Sequence, residues 1–535
     1  MGNYKSQMIY DHAKIENQGI PRSTFYTAPR HKTGIDAGKL YPLFVQECLP
    51  SDVWEINSKV FARLATQVTP FMDELKLCLH GFFGSSRIAW DNFPKMMGER
   101  EDVADDPTTF TIPVVTCPAG GWAEESLADY FGIPTKKDNA DVNAIPFRLH
   151  NFIHRYYFRD QHVDDASNYP INNTSNGPDT DTDYDIYRRS KRMDLFTGVL
   201  PSPLASNVSV TLPLSGSAPI AGISAHIGAG TALVASPGSV GNTAAQDLST
   251  GADIWDFNAA NLYLEAQSSG LASTTNRPQV EADLSAASGG SINDLRDAVA
   301  LQHIYERQAR GGYRYSELIL SAYGVRLPDA QWKPEFIGYA ESQIYQNEVP
   351  NTSADGTKIQ AELAAYSKVF TNGKFQYACK EHGWLFIYAS VIAPLTYDQG
   401  LDRKWSRQTA QDHWDPMHAG LGEDAILSKE IYFDNHADDD NVFGYNERGV
   451  HYKYLRSMNT GALRHNYTGT LNYWHLGQEF ATRPTYSKTF ISEDPPVARV
   501  ISVAAGEPQM IVDASFECLI TRAMPKYNRP GLERI

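Results

Sequence analysis

Period-two alternation of apolar and polar side chains marks the clearest elements of the chain. From Trp54 to Leu64, one face carries Trp54, Ile56, Val60, Ala62 and Leu64, and the other carries Glu55, Asn57, Lys59 and Arg63. Side chains of a strand point alternately to its two faces, so this spacing predicts a half-buried strand. Phe61 is the one apolar residue on the polar side. Leu75 to Phe83 predicts a second strand, with Leu75, Leu77, Leu79 and Phe83 together on one side. Near the C-terminus, Val512, Ala514, Phe516, Cys518 and Ile520 alternate with Asp513, Ser515 and Glu517. Trp384 to Ile392 is apolar on both faces, as expected of a central strand covered from both sides.

These strands are far apart in the chain, so a β core has to close over long connections. Ile292, Leu295, Val299, Ile304 and Tyr305 follow roughly helical spacing and run into Gly311-Gly312, which places a short helix inside one connection. The expected architecture is therefore an all-β sandwich with large insertions, and not alternating β-α units. Residues 201–290 change character: they are rich in Ala, Ser, Gly and Thr and poor in charge. Alternation at Val208, Val210 and Leu212, with Trp255 and Phe257 nearby, reads as an ordered, surface-exposed insertion. A flexible linker is the alternative reading of the same composition.

Composition narrows the class. The chain has 535 residues, 42% of them hydrophobic and 11% aromatic, enough to bury a large core. No apolar run reaches the ~18 residues needed to span a bilayer, so membrane insertion is not expected. The first ten residues have no apolar stretch of the kind a secretory signal carries. Cys48, Cys78, Cys117, Cys379 and Cys518 are scattered and form no C-x-x-C pair, and they read as reduced, buried thiols. The charge balance matters more: 47 basic against 63 acidic residues give a net charge of −16. A protein that coats nucleic acid unaided needs many cations to displace phosphate counterions. If this chain meets DNA, it does so through local patches or with a separate basic partner.

Catalytic signals are weak. There is no Walker loop, dinucleotide fingerprint or G-x-S-x-G elbow, and neither cofactor nor resident metal is expected. His150 and His154 have the spacing of two zinc ligands on a helix, but the intervening Asn151-Phe152-Ile153 lacks the metalloprotease glutamate, so packing or hydrogen bonding is the reading. Asp179, Asp181, Asp183 and Asp185 resemble the start of a calcium loop, yet Tyr184 and Ser190 stand where its glycine and glutamate belong. They read as a solvated acidic loop, as do Asp438, Asp439 and Asp440. Basic residues interleaved with aromatics are the better candidates, since such mixtures suit phosphate contact and base stacking. Arg188, Arg189, Lys191 and Arg192 beside Tyr184 and Tyr187 come first, with Lys526 and Arg529 around Tyr527 next, and Arg403-Lys404-Trp405-Ser406-Arg407 has the same character. A solvated or intersubunit face is the alternative for each cluster.

A series of phrases carries more information than any single motif. Pro21-Arg22-Ser23-Thr24-Phe25, His31-Lys32-Thr33, Phe61-Ala62-Arg63-Leu64-Ala65-Thr66 and Trp90-Asp91-Asn92-Phe93 occur in that order. Tyr157-Phe158-Arg159-Asp160, Leu395-Thr396-Tyr397-Asp398-Gln399-Gly400, Phe443-Gly444-Tyr445-Asn446-Glu447-Arg448 and Met524-Pro525-Lys526-Tyr527 continue it. The series resembles the major capsid proteins of gokushoviruses, in the phage family Microviridae. It runs from residue 21 to residue 532, with little to align near residues 201–290.

The resemblance implies an eight-stranded viral jelly roll with long inter-strand insertions containing short helices. It divides the chain into an N-terminal arm over residues 1–40 and one jelly-roll capsid domain over residues 41–535. It further implies self-association into a T=1 icosahedral shell around a circular single-stranded DNA genome, within a virion assembled in the bacterial cytoplasm. Expected partners are a small basic internal DNA-binding protein, a scaffolding protein and a host cell-surface receptor. The insertion over residues 201–290 would project near the threefold axes and take part in host attachment. The 29 tyrosines of the chain suit the contacts between subunits of such a shell, because Tyr gives an interface apolar area and a hydrogen bond together.

Overall fold

The computed structural model describes residues 22–99, 109–203, 332–350, 363–420, 422–502 and 506–527, with short stretches elsewhere. The chain divides into two compact units, Met1–Ser206 with Gln308–Ile535, and Asn207–Arg307. In the second unit, Val234–Ala235 pairs antiparallel with Gln246–Asp247, and residues 301–303 are helical. The rest of the expected insertion and most of the helix expected from Ile292 to Tyr305 lie outside the described residues.

The first unit is built on two antiparallel sheets. Its strands in chain order are β1 (Ser23–Thr27), β2 (Arg30–Ile35), β3 (Tyr41–Cys48), β4 (Val53–Leu64) and β5 (Lys76–Ser85). After the helix α1 (Ile145–Ile153) come β6 (Glu335–Gln343), β7 (Tyr345–Pro350), β8 (Leu363–Ala378) and β9 (Gly383–Ile392). Then follow β10 (Glu423–Leu427), β11 (Val442–Glu447) and β12 (Met510–Arg522). One sheet has the order β1-β12-β4-β8-β7, with β2 also pairing β12; the other has the order β6-β5-β9-β3. The four strands expected from the sequence, three from alternation and one from its apolar run, are thus β4, β5, β9 and β12. They sit at the centres of the two sheets, hydrogen-bonded on both edges.

The core lies between the sheets. Val60 and Ala62 of β4, with Val512, Ala514 and Phe516 of β12, pack against Leu77 and Leu79 of β5 and Leu385 and Ile387 of β9. Phe44 bridges the layers, its ring 4.9 Å from that of Phe516 and 6.2 Å from that of Trp54. Burying each such side chain contributes about 1.5–3 kcal/mol, so this layer supplies most of the driving force. The result is an all-β, jelly-roll-like sandwich whose two sheets hold six and four strands among the described residues.

The chain ends meet in the larger sheet. β1 pairs Ser23 with Arg522 through Thr27 with Cys518, and β2 pairs Arg30 with Ser515 through Ile35 with Met510. Between them, Phe516 donates its backbone N–H to Pro29 O at 3.0 Å. The described part of the expected N-terminal arm is therefore a pair of strands satisfying one edge of the chain's own last strand. An open edge there would leave a row of unpaired backbone groups.

The outer faces of the two sheets differ. The sequence places Leu75, Leu77, Leu79 and Phe83 on one side of the segment around β5, yet nearly all residues of β5 are buried. Its outer face is covered by the connection after it: Phe82, Phe386 and Tyr388 pack against Trp90, Ile145, Leu149 and Ile153. Among the described residues nothing covers the six-stranded sheet in this way, and its outward side chains on β4 and β8 are half-buried or exposed. No helix among the described residues is long and apolar enough to cross a membrane.

Candidate subunit and genome-contact surfaces

Helix α1 is buried along its whole length and organises the basic segment at Arg188–Arg192. His150 donates from Nε2 to Asp185 O at 3.0 Å, and its Nδ1 lies 3.1 Å from the Tyr388 hydroxyl. Asn151 Nδ2 donates to Pro170 O at 2.7 Å and to Asp183 O at 2.9 Å. His154 Nε2 lies 2.9 Å from Arg188 O. The two histidines thus pack and hydrogen-bond, as the missing glutamate suggested. Burial holds His150 down to about 3 and His154 to about 4, so both are neutral near pH 7.

The backbone of the segment is clamped from the other side as well. Lys191 donates to Ile491 O at 2.8 Å, Arg189 to Gly38 O at 3.1 Å, and Glu493 donates to Arg189 O at 2.8 Å. The side chains then find partners within the subunit. Arg188 Nη1 is 2.8 Å from Asp494 Oδ1 and 3.1 Å from Glu493 O. Arg189 Nη1 donates to Ser390 Oγ at 3.2 Å. Lys191 is buried with its ammonium 4.7 Å from the Phe490 ring centre, and burial lowers its pKa. Arg192 pairs with Glu341 Oε2 at 2.8 Å and donates to the Tyr339 hydroxyl at 3.0 Å. Lys526 lies apart from this group and is exposed, and Arg529 lies outside the described residues. The Arg403–Arg407 cluster is also engaged: Arg403 pairs with Asp424 at 2.9 Å, and Arg407 lies over the Tyr452 ring. Trp405, between them, is 73% exposed.

Two acidic groups read as solvated loops are partly interior. Asp179 is buried and takes both arms of the Arg148 guanidinium. Asp439 is buried and accepts from Arg483 Nη2 at 2.7 Å. The expectation fails at these two residues because their partners come from other parts of the chain, while Asp438 and Asp440 are exposed. The remaining carboxylates of the first run, Asp181, Asp183 and Asp185, are half-buried or exposed.

One cluster among the described residues, Asp398, His465 and His475, brings three metal-type ligands together. Hydrogen bonds account for its ring nitrogens. His465 donates from Nδ1 to Asp398 Oδ1 at 2.7 Å and accepts at Nε2 from Arg499 Nη1 at 3.1 Å. His475 donates from Nε2 to Leu463 O at 2.7 Å and accepts at Nδ1 from the Gly477 N–H at 3.0 Å. With its lone pairs committed to N–H donors, the group fits a structural lock and not a cation site.

The long connection between β9 and β12 instead exposes apolar side chains. Met417 and Leu455 are 85% and 88% exposed, and Met458 and Tyr467 are also exposed. Exposed apolar side chains of this size are candidates for contact with other protein where they adjoin. Comparison with known proteins places the chain in a family. The profile of the family described as capsid protein (F protein) matches residues 13–532.

The chain belongs to this phage capsid protein family. The capsid protein VP1 of Bdellovibrio phage phiMH2K is 36% identical over 529 residues, covering 97% of each chain. That of Chlamydia phage 1 is 34% identical over 585 residues, and that of Spiroplasma virus 4 is 29% identical over 546, each covering 98% of both chains. The gokushovirus-like capsid identity expected from the ordered phrases is therefore established. This capsid protein is a structural component of the virion that assembles with copies of itself, and it is not an enzyme.

Proposed function

We propose that this capsid protein is the repeating unit of a small T=1 icosahedral shell that encloses a circular single-stranded DNA phage genome. The observation that carries the reading is the 36% identity to a phage VP1 across 97% of both chains, which spans the sheets and their insertions alike. The net charge of −16 supports the second half of it: a shell so acidic needs another source of cations, met by a small basic internal protein. A scaffolding protein assists assembly in the bacterial cytoplasm, and a host surface receptor is the outer partner.

The insertion over residues 201–290 is assigned to a protrusion near the threefold axes that takes part in host attachment. It has the low charge and Ala/Ser/Gly-rich composition of a segment under few packing constraints. Genome contact at Arg188, Arg189, Lys191, Arg192, Lys526 and Arg529 remains part of the proposal. The first four reach DNA only by exchanging their intramolecular partners, whereas the exposed Lys526 needs no such exchange.

The test is fractionation of a lysate from host cells carrying the whole phage genome. This chain should sediment with particles that protect circular single-stranded DNA from nuclease. Recovery of the chain only as a soluble monomer or small oligomer would overturn the reading.

A further inference from the structure

The outer face of the six-stranded sheet, uncovered among the described residues, has a composition unlike the rest of this acidic protein. Along β8 the outward residues from Tyr366 to Gln376 are Tyr366, Lys368, Phe370, Asn372, Lys374 and Gln376, and all are exposed. Each is aromatic, basic or an amide, and none is a carboxylate. Alternate residues of a strand recur about every 6.6 Å, so cations, rings and amide groups form one continuous row.

Neighbouring strands extend the row. Phe370 lies opposite Phe61, and Lys368 lies opposite Arg63 of β4 and Tyr345 of β7. The Arg63 guanidinium stands 6.0 Å from the Tyr366 ring centre. Phe370 is 60% exposed and Tyr345 64%, and Phe61 is also exposed, which is costly unless something covers the rings. On the far side of the sheet, Lys32 and Arg30 of β2 face outward opposite Asp513 and Ser515.

The charges on this face are largely uncompensated. Its acidic side chains are Glu55, Asp513 and Glu517, and Glu517 is taken by Lys59 at 2.6 Å. Among the described residues, Lys32, Arg63, Lys368 and Lys374 have no ion-pair partner. Basic side chains on the face are Arg30, Lys32, Lys59, Arg63, Lys368 and Lys374, twice the number of acidic ones, in a chain where acidic residues outnumber basic ones 63 to 47.

We infer that the outer face of the six-stranded sheet, centred on Tyr366, Lys368, Phe370 and Lys374 with Phe61 and Arg63, binds single-stranded nucleic acid. This rests on the shell reading above and names the surface that meets the genome. The lysines take phosphates as point charges and Arg63 through its planar guanidinium fork, exposed rings take bases by stacking, and Asn372 and Gln376 offer donors and acceptors to base edges. Such recognition tolerates any sequence, because every base has a π-face. A second protein chain is the competing occupant. A row with no carboxylate favours a polyanion, since a protein partner would have to bring acidic groups to match each unpaired cation.

The experiment is ultraviolet crosslinking of intact, DNA-filled particles, with crosslinked peptides mapped by mass spectrometry. Nucleotide adducts are expected on peptides containing Phe61, Tyr366 or Phe370. In particles carrying Lys368→Gln, Lys374→Gln and Phe370→Ala together, adduct yield on this face should fall about fivefold or more, as loss of a stacking ring and two cations implies. All three side chains are exposed, and the wild-type map stands even if the variant fails to assemble. DNA-filled particles with adducts confined to other peptides, or with this face crosslinked to protein, would overturn the inference and leave the shell reading intact. Shells that contain no DNA would overturn both.

Discussion

Arg148 and Asp179 form a bidentate ion pair in which both side chains are fully buried. The Nε–Oδ2 distance is 2.7 Å and the Nη2–Oδ1 distance 2.8 Å. The remaining capacity is also used: Arg148 Nη1 donates to Ser175 O at 3.0 Å, and the Tyr184 hydroxyl donates to Asp179 Oδ2 at 2.6 Å. The pair thus fastens the loop that carries Tyr184 and the basic segment to helix α1.

Breaking one side of a buried pair leaves an uncompensated charge, at a cost of about 3–5 kcal/mol. Asp179→Asn is therefore expected to lower particle yield sharply and to depress the unfolding temperature of any particles recovered, measured by scanning fluorimetry. Unfolding at the wild-type temperature would show that the pair does not hold this loop.

Gly38 has a φ of +83°, and a Cβ placed there would sit 2.1 Å from Glu493 O. Both constraints act against Gly38→Ala: the left-handed backbone alone costs about 1–3 kcal/mol, and the contact forces Glu493 away. Since Gly38 O also receives the Arg189 N–H, the variant should accumulate as insoluble chain where the wild type yields particles. Normal yield on a sedimentation gradient would refute this account of the clamp.

Glu430 is buried beside Arg403 and His451, and burial raises its carboxyl from 4.5 to about 7. The folded chain then binds a proton that the unfolded chain releases between these values. Its contribution is complete below pH 4.5 and is lost as pH rises through about 7. Glu430→Gln keeps an acceptor for the Leu427 N–H and should remove this loss, gaining on the order of 2–3 kcal/mol at pH 8. A stability difference between variant and wild type that does not change from pH 4 to pH 8 would contradict the assignment.

His150 and His154 act with the opposite sign. Their folded values, about 3 and about 4, lie below the ordinary 6.5, so the unfolded chain binds more protons between. Their contribution is present above pH 6.5 and is lost as pH falls toward 4. Melting temperatures of the Glu430→Gln variant, which removes the opposing carboxyl, should fall on acidification from pH 7 to pH 4.5, with the buried His80 and His451 adding to the loss. A flat profile in that window would rule out buried neutral histidines as the cause of acid lability.

Much of the core was legible because its strands are written locally. Trp54, Ile56, Val60, Ala62 and Leu64 announce an inward face, and the structure buries each of them. Phe61, the exception, faces outward opposite Phe370. Its partner lies on a strand whose run Lys368-Val369-Phe370-Thr371 mixes polar and apolar residues on both faces, which hides the period. The basic run at Arg188–Arg192 was visible as charge, but its partners at Glu341, Ser390 and Asp494 come from three remote parts of the chain. Asp179 hid for the same reason, since only the fold brings Arg148 to it. Capsid identity was legible through phrase order alone, as neither alternation nor charge carries it.

The most direct test of the central claim is electron cryo-microscopy of particles from cells carrying the whole phage genome. The account predicts small icosahedral shells whose repeating density traces the two sheets, with β12 flanked by β4 on one edge and by β1 and β2 on the other. Shells built from a different chain, with this protein absent from their density, would contradict it.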